Sequence, residues 1–428
     1  MKFLALMLLP AFIFSAAAQP NAAQPSAAQP SKEFQFNASI KTVIENSTMP
    51  DVRPGMVVAS PSRSNPDYYF DWLRDTALTM RSLIDYYELK KDPAIKKMIF
   101  TWIDAEIHRQ NLPTLTGLGE PKFNVDGSGY TGPWGRPQND GPALRALAII
   151  KFARILLKEG NQDYVIKKLF HGTVSNQSVI QKDLDYTVAE WKKPSFDLWE
   201  EEQGMHFYTL LAQHTALQEG GKLAHDLSDH RGHSTYQAES EKIGTLLKRE
   251  FSDANIGILA TRNKVNGGLS YKKSNLDVAP LLALLHNSPY QKLFPLNGTQ
   301  VRRYVDGLAV TFTNVYAVNK NYPELGVAIG RYPEDRYDGY QTSGSGNPWF
   351  LSTLALGEYM CLLRTETKSQ KMNDMIEKQF SRALFHSDRK GSMSEQFNST
   401  SGLMQGARQL TWSHNAFMTA MMRCGLVK

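Results

Sequence analysis

The sequence contains very little cysteine: Cys361 and Cys424 are the only two in 428 residues. So few cysteines exclude a scaffold held together by many disulfides. Both lie in predicted late helices, and the sequence leaves open whether they form a disulfide or stay free. The chain also lacks any run of five basic residues, although its formal net charge is +6. Scattered charge of this kind argues against a nucleic-acid-binding protein.

Two further absences limit the class of protein. No segment after the N-terminus reaches the about 18 apolar residues of a membrane-spanning helix. No glycine-rich phosphate loop follows a predicted strand, so we expect no nucleotide cofactor, and no cofactor of any other kind is indicated.

The spacing of His230 and His233 in AHDLSDHRGHSTY also occurs in zinc sites. We favour an exposed polar loop there and expect no metal site.

The first 18 residues have the pattern of a secretory signal peptide. Lys2 precedes an apolar run, and small residues follow it up to a predicted cut after Ala18. An uncleaved anchor is the alternative, which the short run disfavours. Residues 19–33 repeat Ala, Gln and Pro and predict a disordered spacer, so residues 34–428 form the predicted folded domain. We expect a secreted protein without membrane contact after cleavage, extracellular or, in a Gram-negative source, periplasmic.

Helical periodicity dominates this domain, and no regularly spaced strand pattern is present. Segment 142–158 is apolar on most faces, which predicts a helix buried on both sides. Long loops rich in glycine, proline and aromatic residues recur about once per helix pair, a length typical of functional loops. We favour an all-α ring of helical hairpins with the loops at one mouth; a two-domain helical bundle is the alternative. The predicted helices cover residues 36–46, 74–90, 93–111, 142–158, 176–192, 205–222, 236–251, 276–287, 300–319, 349–364, 368–386 and 411–424.

The loops between the predicted helices combine aromatic side chains with carboxylates and arginines. In NPDYYFDWLRD, Tyr68 and Trp72 are followed by the adjacent Arg74 and Asp75. Aromatic rings pack on the C–H faces of a sugar, and neighbouring charged groups bind its hydroxyls in pairs. Ordinary packing with ion pairs at a rim explains any single loop. Five such loops together indicate a carbohydrate ligand.

The segment FDLWEEEQ, residues 196–203, places three carboxylates beside a tryptophan. Hydrolysis of a glycosidic bond uses two carboxyl groups, one protonated and one ionised. Desolvation by Trp199 and repulsion between adjacent glutamates are conditions that keep a carboxyl protonated. Glu395, between Ser394 and Gln396, has the polar setting expected of an ionised carboxylate. The alternative for Glu200–Glu202 is the first turn of a helix, where carboxylates complement the helix dipole.

Five groups of segments resemble the glucoamylases, the exo-acting glucan 1,4-α-glucosidases of glycoside hydrolase family 15. They span about residues 65 to 420 in the order that the family shows. The resemblance implies an (α/α)6 barrel with the active site at the mouth where the loops meet. The segments are DYYFDWLRDTAL, GEPKFNVDGSGYTGPWGRPQNDGPALRA, FDLWEEEQGMHFYTLLAQHTAL, VAIGRYPEDRY with GNPWFL, and GSMSEQFN with ARQLTWSHNAF.

Carried over position by position, the resemblance implies that Glu200 is the general acid and Glu395 the general base. The family inverts the anomeric configuration, which requires roughly 6.5–9.5 Å between the two carboxyl groups. Arg74 and Asp75 are expected to hold the terminal glucose. The other expected substrate-binding residues are Tyr68, Trp72, Trp134, Arg136, Asp140, Leu198, Trp199, Glu201, Arg331, Tyr337 and Trp349.

The predicted function is a secreted, exo-acting glucoamylase that releases β-D-glucose from the non-reducing ends of starch, dextrins, glycogen or maltooligosaccharides. The resemblance implies faster cleavage of α-1,4 than of α-1,6 bonds, and we expect a monomer. Because the chain ends at Lys428, just after the last predicted helix, we expect no separate starch-binding module. Two alternatives stay open: an exo-glucosidase that prefers α-1,6 bonds, and a non-catalytic carbohydrate-binding protein on the same barrel.

Overall fold

A computed structural model describes residues 29–171, 178–367 and 369–427 of the protein. The predicted signal peptide and most of the predicted spacer, residues 19–28, lie outside these ranges. Helices dominate the described chain: α1 (Lys32–Asn46), α2 (Leu73–Lys90), α3 (Pro93–Arg109), α4 (Asp140–Lys158), α5 (Gln162–Tyr164), α6 (Val179–Glu190), α7 (Phe207–Asp226), α8 (His230–Glu250), α9 (Ala279–His286), α10 (Thr299–Val315), α11 (Ala317–Asn321), α12 (Phe350–Thr367), α13 (Gln370–His386) and α14 (Thr411–Arg423).

Strands are short and lie in the loops between helices. Each sheet is antiparallel: β1 pairs with β2, β4 lies between β3 and β7, β5 pairs with β6, and β8 pairs with β9. The strands are β1 (Asp71–Trp72), β2 (Lys122–Phe123), β3 (Ser195–Phe196), β4 (Gln203–His206), β5 (Ser252–Asp253), β6 (Gly257–Ile258), β7 (Thr261–Arg262), β8 (Gln396–Phe397) and β9 (Met404–Gln405).

Six helices form a closed inner ring. Helix α2 packs on α4, α4 on α7, α7 on α9, α9 on α12, α12 on α14, and α14 returns to α2. An outer helix accompanies each inner one: α3 packs on α2, α6 on α4, α8 on α7, α13 on α12 and α1 on α14, while α10 follows α9 in the chain. This arrangement is an (α/α)6 barrel, which confirms the predicted ring and excludes the two-domain bundle.

The apolar pattern of each helix matches its layer. Helix α9 is buried over Ala279–Leu285, seven of its eight residues, because it contacts other helices on both sides. The outer helix α13 buries only a stripe, which includes Ile376, Phe380, Ala383 and Leu384 at the spacing of one helical face. The predicted burial of segment 142–158 is also confirmed, since most of α4 is buried.

The loops that enter the inner helices meet at one end of the barrel. Trp72 immediately precedes α2, Trp349 precedes α12 and Leu410 precedes α14, and all three line one cavity. The loops leading to α4 and α7 reach the same cavity through Trp134 and Glu200. Five outer-to-inner connections therefore build a single site, as the recurring aromatic and charged loops predict.

Two local predictions need completion or correction. Cys361 and Cys424 form a disulfide that joins α12 to the residue after α14. His225 and His230 are exposed, as predicted, but the predicted loop around them is wrong: α7 continues to Asp226, and α8 begins at His230 because the Asp229 side chain accepts from the Gly232 amide. Among the described residues, none of the helices combines the length and apolarity that crossing a membrane demands.

Candidate active site

A cavity of about 330 Å³ opens at the mouth of the barrel. Thirteen of the predicted site residues line it: Tyr68, Trp72, Arg74, Asp75, Trp134, Leu198, Trp199, Glu200, Glu201, Arg331, Tyr337, Trp349 and Glu395. Five others complete the wall: Ala59, Gly135, Thr342, Leu410 and Trp412. This volume lies within the range of small-molecule sites. Both candidate catalytic carboxylates therefore face one shared space.

Glu200 lies in a tight turn between β3 and β4. Its φ of 66° is in the left-handed region, which a residue with a side chain rarely adopts and which marks functional sites. The Asp197 side chain holds the turn by accepting from the Glu201 and Glu202 amides at 2.8 and 3.1 Å. The alternative of a helical first turn is wrong, because α7 begins only at Phe207.

The Glu200 carboxyl group is half-buried and held by two donors on one oxygen. Trp72 Nε1 donates to Glu200 Oε1 at 2.8 Å, and Gln138 Nε2 donates to the same oxygen at 2.9 Å. Oε1 therefore acts as an acceptor, so a proton on this group belongs on Oε2. A protonated carboxyl fixed in this way can donate to a substrate oxygen in the cavity.

The two neighbouring glutamates have different partners, which separates the three charges. Glu201 accepts from Arg331 Nη2 at 2.8 Å and from the Tyr332 hydroxyl at 2.7 Å. Glu202 is buried and accepts from Lys264 Nζ at 2.8 Å, with Lys272 Nζ 3.5 Å from its other oxygen. Burial raises the pKa of Glu201, whereas these lysines outweigh burial and lower the pKa of Glu202. The EEE run thus supplies two residues that line the cavity, Glu200 and Glu201, and two ion pairs, of Glu201 with Arg331 and of Glu202 with Lys264.

Glu395 is the more deeply buried of the two candidate catalytic groups. Burial raises its pKa to about 7, while the Tyr68 hydroxyl, Arg331 and the Tyr337 hydroxyl each lower it. The two hydroxyls lie 2.9 Å apart. The predicted polar setting is present, since these groups and Gln396 Nε2, 3.2 Å from Glu395 Oε2, surround the carboxyl group, but the complete burial of Glu395 was not predicted. Trp199 donates through Nε1 to Asp277 Oδ1 at 3.0 Å, and its ring forms part of the cavity wall.

Gly406 leaves space for the Glu395 carboxyl group because glycine has no Cβ. Gly406 has φ of 76°, and a Cβ built there would lie 2.4 Å from Glu395 Oε2. The Glu395 amide donates to the Ala407 carbonyl at 2.8 Å, which fixes the backbone of the residue directly before β8. The carboxylate is therefore positioned by backbone pairing on one side and by a close glycine on the other.

At the start of α2, Arg74 is buried and Asp75 is half-buried. Arg74 Nη1 donates to Gln138 Oε1 at 2.8 Å and to Asp140 Oδ2 at 3.3 Å, and Arg74 Nε lies 3.6 Å from Asp75 Oδ1. Burial raises the pKa of Asp75 to about 7, against the lowering effect of Arg74. Gln138 thus links Arg74 to Glu200 through its two ends.

Two predicted residues do not line the cavity. Arg136 pairs with Glu120 at 2.9 Å and donates to the Gly132 and Tyr130 carbonyls, so it holds the loop behind the site. Asp140 begins α4 and supports Arg74 from behind. Both are close to the site, but their contacts are with protein groups.

Sequence reasoning missed several residues of the site. Gln138 stands four residues before the predicted helix 142–158, within GRPQND, so its place in a mouth loop was a usable signal. Trp412 lies in the first turn of α14, and its ring stacks on Trp199 with 6.4 Å between centroids. Gly406 carries no local signal, because its role depends on a contact with Glu395 across β8 and β9.

Aromatic rings form the walls of the cavity. Trp72 lies 5.6 Å from Tyr68 and 5.8 Å from Trp134 between ring centroids, and Trp199 lies 5.8 Å from Trp349. Such rings pack on sugar faces while Arg74, Asp75 and Arg331 offer hydrogen bonds to hydroxyls. Two carboxyl groups facing a sugar-sized pocket at the mouth of a helical barrel define the class: an enzyme that hydrolyses glycosidic bonds.

Comparison with known proteins assigns the family. The model of glycosyl hydrolases family 15 matches residues 37–422, and the chain belongs to this family. It is similar to the glucoamylase of Blastobotrys adeninivorans, at 33% identity over 91% of this chain and 69% of that protein. The probable glucoamylase of Schizosaccharomyces pombe is 34% identical over 88% of this chain and 86% of that protein. The solved glucoamylase of Saccharomycopsis fibuligera has a TM-score of 0.81 at 28% identity and covers 95% and 99% of the two chains.

Proposed function

We propose that this glycoside hydrolase is an exo-acting glucan 1,4-α-glucosidase, a glucoamylase. It removes terminal glucose from the non-reducing ends of starch, dextrins, glycogen or maltooligosaccharides and releases β-D-glucose. It cleaves α-1,4 bonds faster than α-1,6 bonds. The observation that carries the proposal is the presence of Glu200 and Glu395 in one cavity of about 330 Å³ walled by aromatic rings. The named relatives support the choice of an α-glucan as substrate.

In this proposal Glu200 is the general acid. Its Oε2 donates a proton to the glycosidic oxygen as the bond from that oxygen to C1 breaks. Trp72 and Gln138 hold Oε1 and so fix the direction of Oε2. The departing sugar leaves with a neutral hydroxyl, and Glu200 becomes a carboxylate.

Glu395 is the general base. Its carboxylate takes a proton from a water molecule as that water attacks C1 from the face opposite the leaving group. Attack from the opposite face inverts the configuration, so the two carboxyl groups are expected to lie roughly 6.5–9.5 Å apart. Tyr68, Tyr337 and Arg331 favour the ionised form that this role requires, because each lowers the Glu395 pKa.

Exo action follows from binding of a single terminal ring. The buried Arg74 and the half-buried Asp75 both line the cavity, where a guanidinium and a carboxylate can bind adjacent hydroxyls of one sugar. Tyr68, Trp134 and Trp199 offer aromatic surface on the walls. Polar groups in this position require hydroxyls on the ring that reaches them.

We further propose that the protein is exported, which the signal-peptide pattern of residues 1–18 supports. We also propose that it is a monomer. Expression of the full chain in a secreting host, followed by N-terminal sequencing and light scattering, tests both points. A mature protein that begins shortly after Ala18 and has the mass of one chain is expected. An intracellular product that retains Met1, or a stable dimer, contradicts the corresponding statement.

Maltotetraose labelled at its reducing end tests the activity. Unlabelled glucose and labelled maltotriose are the expected first products, and α-cyclodextrin, which has no chain end, is expected to remain intact. Rates on maltose and isomaltose then measure the preference between the two bonds. Labelled glucose as the first product, or opening of the cyclodextrin, contradicts exo action from the non-reducing end.

A further inference from the structure

A buried lysine lies behind the catalytic pocket. Lys122 is the first residue of β2 and pairs with Trp72 of β1, and its side chain is only 3% exposed. Its Nζ lies over four aromatic rings, at 3.6 Å from the centroid of Trp134, 3.9 Å from Phe70, 4.3 Å from Tyr130 and 4.7 Å from Trp72. The ammonium is therefore enclosed by rings that also shape the cavity.

This enclosure is an unusual way to bury a charge. Buried ammonium groups are ordinarily paired with a carboxylate, because desolvation disfavours the charged form. Within the described ranges, no carboxylate forms an ion pair with Lys122. Aromatic faces replace that partner, since the ring quadrupole attracts a cation and does so more strongly when water is excluded.

The rings around Lys122 connect it to Glu200. Trp72 donates through Nε1 to Glu200 Oε1 at 2.8 Å, and both Trp72 and Trp134 line the cavity. The rings of Phe70 and Tyr130 pack edge-on against each other at 5.4 Å and close the far side of the cage. Any change in the position of the ammonium therefore reaches Glu200 through Trp72.

We propose that Lys122 is a positioning residue, whose caged ammonium fixes Trp72 and Trp134 and thereby the orientation of Glu200. The inference rests on the proposed role of Glu200 as general acid. The charged groups that act on Lys122 are the carboxylates of Glu200 and Asp67 and the guanidinium of Arg136. Burial lowers the pKa of Lys122 to about 8, the two carboxylates raise it, and Arg136 lowers it further, so the group is cationic below that pH.

Loss of the caged ammonium is expected to act on kcat. Trp72 and Glu200 lose their fixed geometry, so kcat falls on the order of 10- to 100-fold while KM changes less. A residue that only stabilises the fold would instead change the melting temperature and leave kcat of the folded enzyme unchanged.

The experiment compares Lys122→Met, which removes the charge but keeps an unbranched chain, with Lys122→Arg, which keeps the charge. Lys192→Met is the matched control: Lys192 lies over Trp191 at 5.2 Å, and neither residue lines the catalytic cavity. Thermal unfolding, kcat and KM on maltose are measured for each. Lys122→Gln serves as the second neutral variant where Lys122→Met does not fold.

The expected result is a large loss of kcat with little change in KM in a folded neutral variant, and this loss is largely reversed in Lys122→Arg. The control is expected to match the wild type. A folded neutral variant within twofold of wild-type kcat, or equal losses of kcat in the neutral and Arg variants, overturns the proposal. If the wild type itself releases no glucose from maltose, the proposed function fails instead.

Discussion

Replacing Glu200 by glutamine is expected to remove the proton donor and leave the turn that carries it intact. Both donors to this side chain, Trp72 Nε1 and Gln138 Nε2, meet on Oε1, and an amide oxygen at that position accepts the same two bonds. We expect a melting temperature within about 2 °C of the wild type. General acid catalysis contributes about 10²- to 10⁴-fold in rate, so turnover of maltose is expected to fall by that factor, or about 3–5 kcal/mol.

Glu202→Gln is the matched control, two residues along the same turn. Glu202 is buried and lies 2.8 and 3.5 Å from the ammonium groups of Lys264 and Lys272, but it does not line the cavity. Its loss removes the carboxylate that pairs with the partly exposed Lys264, while Lys272 keeps its ion pair with Asp277 at 2.6 Å, so we expect a cost of about 1–3 kcal/mol of stability. We therefore expect lower stability with kcat retained, the reverse of the Glu200 variant.

The assay uses two substrates that differ in their leaving group. Cleavage of maltose requires protonation of the departing oxygen. In α-D-glucosyl fluoride the leaving group is fluoride ion, which departs without a proton from the enzyme. Glu200→Gln is expected to retain most of its activity on the fluoride, and Glu395→Gln to lose activity on both. The opposite pattern, with only Glu395→Gln rescued, refutes the assignment. This test matters because burial raises the pKa of Glu395, the proposed base, to about 7.

Three further predictions follow from contacts around the site and the disulfide. Tyr68→Phe removes a hydroxyl that lowers the pKa of Glu395, so the acidic limb of the kcat/KM profile is expected to move to higher pH. Gly406→Ala places a methyl group 2.4 Å from Glu395 Oε2 at a φ of 76°, and kcat is expected to fall about tenfold or more in steady-state assays. Replacing Cys361 and Cys424 by serine removes a cross-link over 63 residues and is expected to lower the unfolding free energy by about 4 kcal/mol in denaturant titrations, with kcat unchanged.

Much of the fold was predictable because inner and outer helices differ in burial. The apolar faces of α4 and the single stripe of α13 are visible as patterns in the sequence. Closure of the ring was inferred from the recurring loops, and the contact of α14 with α2 confirms it. Helix ends were less predictable: the predicted helix 300–319 is divided at Tyr316, whose extended backbone ends α10 and precedes α11.

The members of the site were predictable, whereas their environments were not. The resemblance to glucoamylases assigned thirteen of the lining residues to aromatic and acidic loops, and these loops precede inner helices and so reach the same end of the barrel. Burial of Glu395 depends on Tyr68, Tyr337 and Gly406, which come from distant segments and leave no local signal. The pairing of Glu201 with Arg331 and of Glu202 with Lys264 likewise depends on tertiary contacts.

Sequence position alone also does not separate a residue that contacts the cavity from one that supports it. Asp140 and Gln138 are two residues apart, and the first supports Arg74 while the second links Arg74 to Glu200. Arg136 belongs to the same segment and pairs with Glu120. The three-dimensional path of the chain into α4 determines that Gln138 contacts the Glu200 carboxyl group, whereas Arg136 and Asp140 do not.

The stereochemistry of the first glucose released tests the central claim most directly. Proton NMR of a maltotriose digest, recorded before the anomers interconvert, reports whether C1 has been inverted. Water activated by Glu395 and a leaving group protonated by Glu200 predict β-D-glucose as the first product, with maltose as the other. Initial release of α-D-glucose would contradict direct attack of water between these two carboxyl groups.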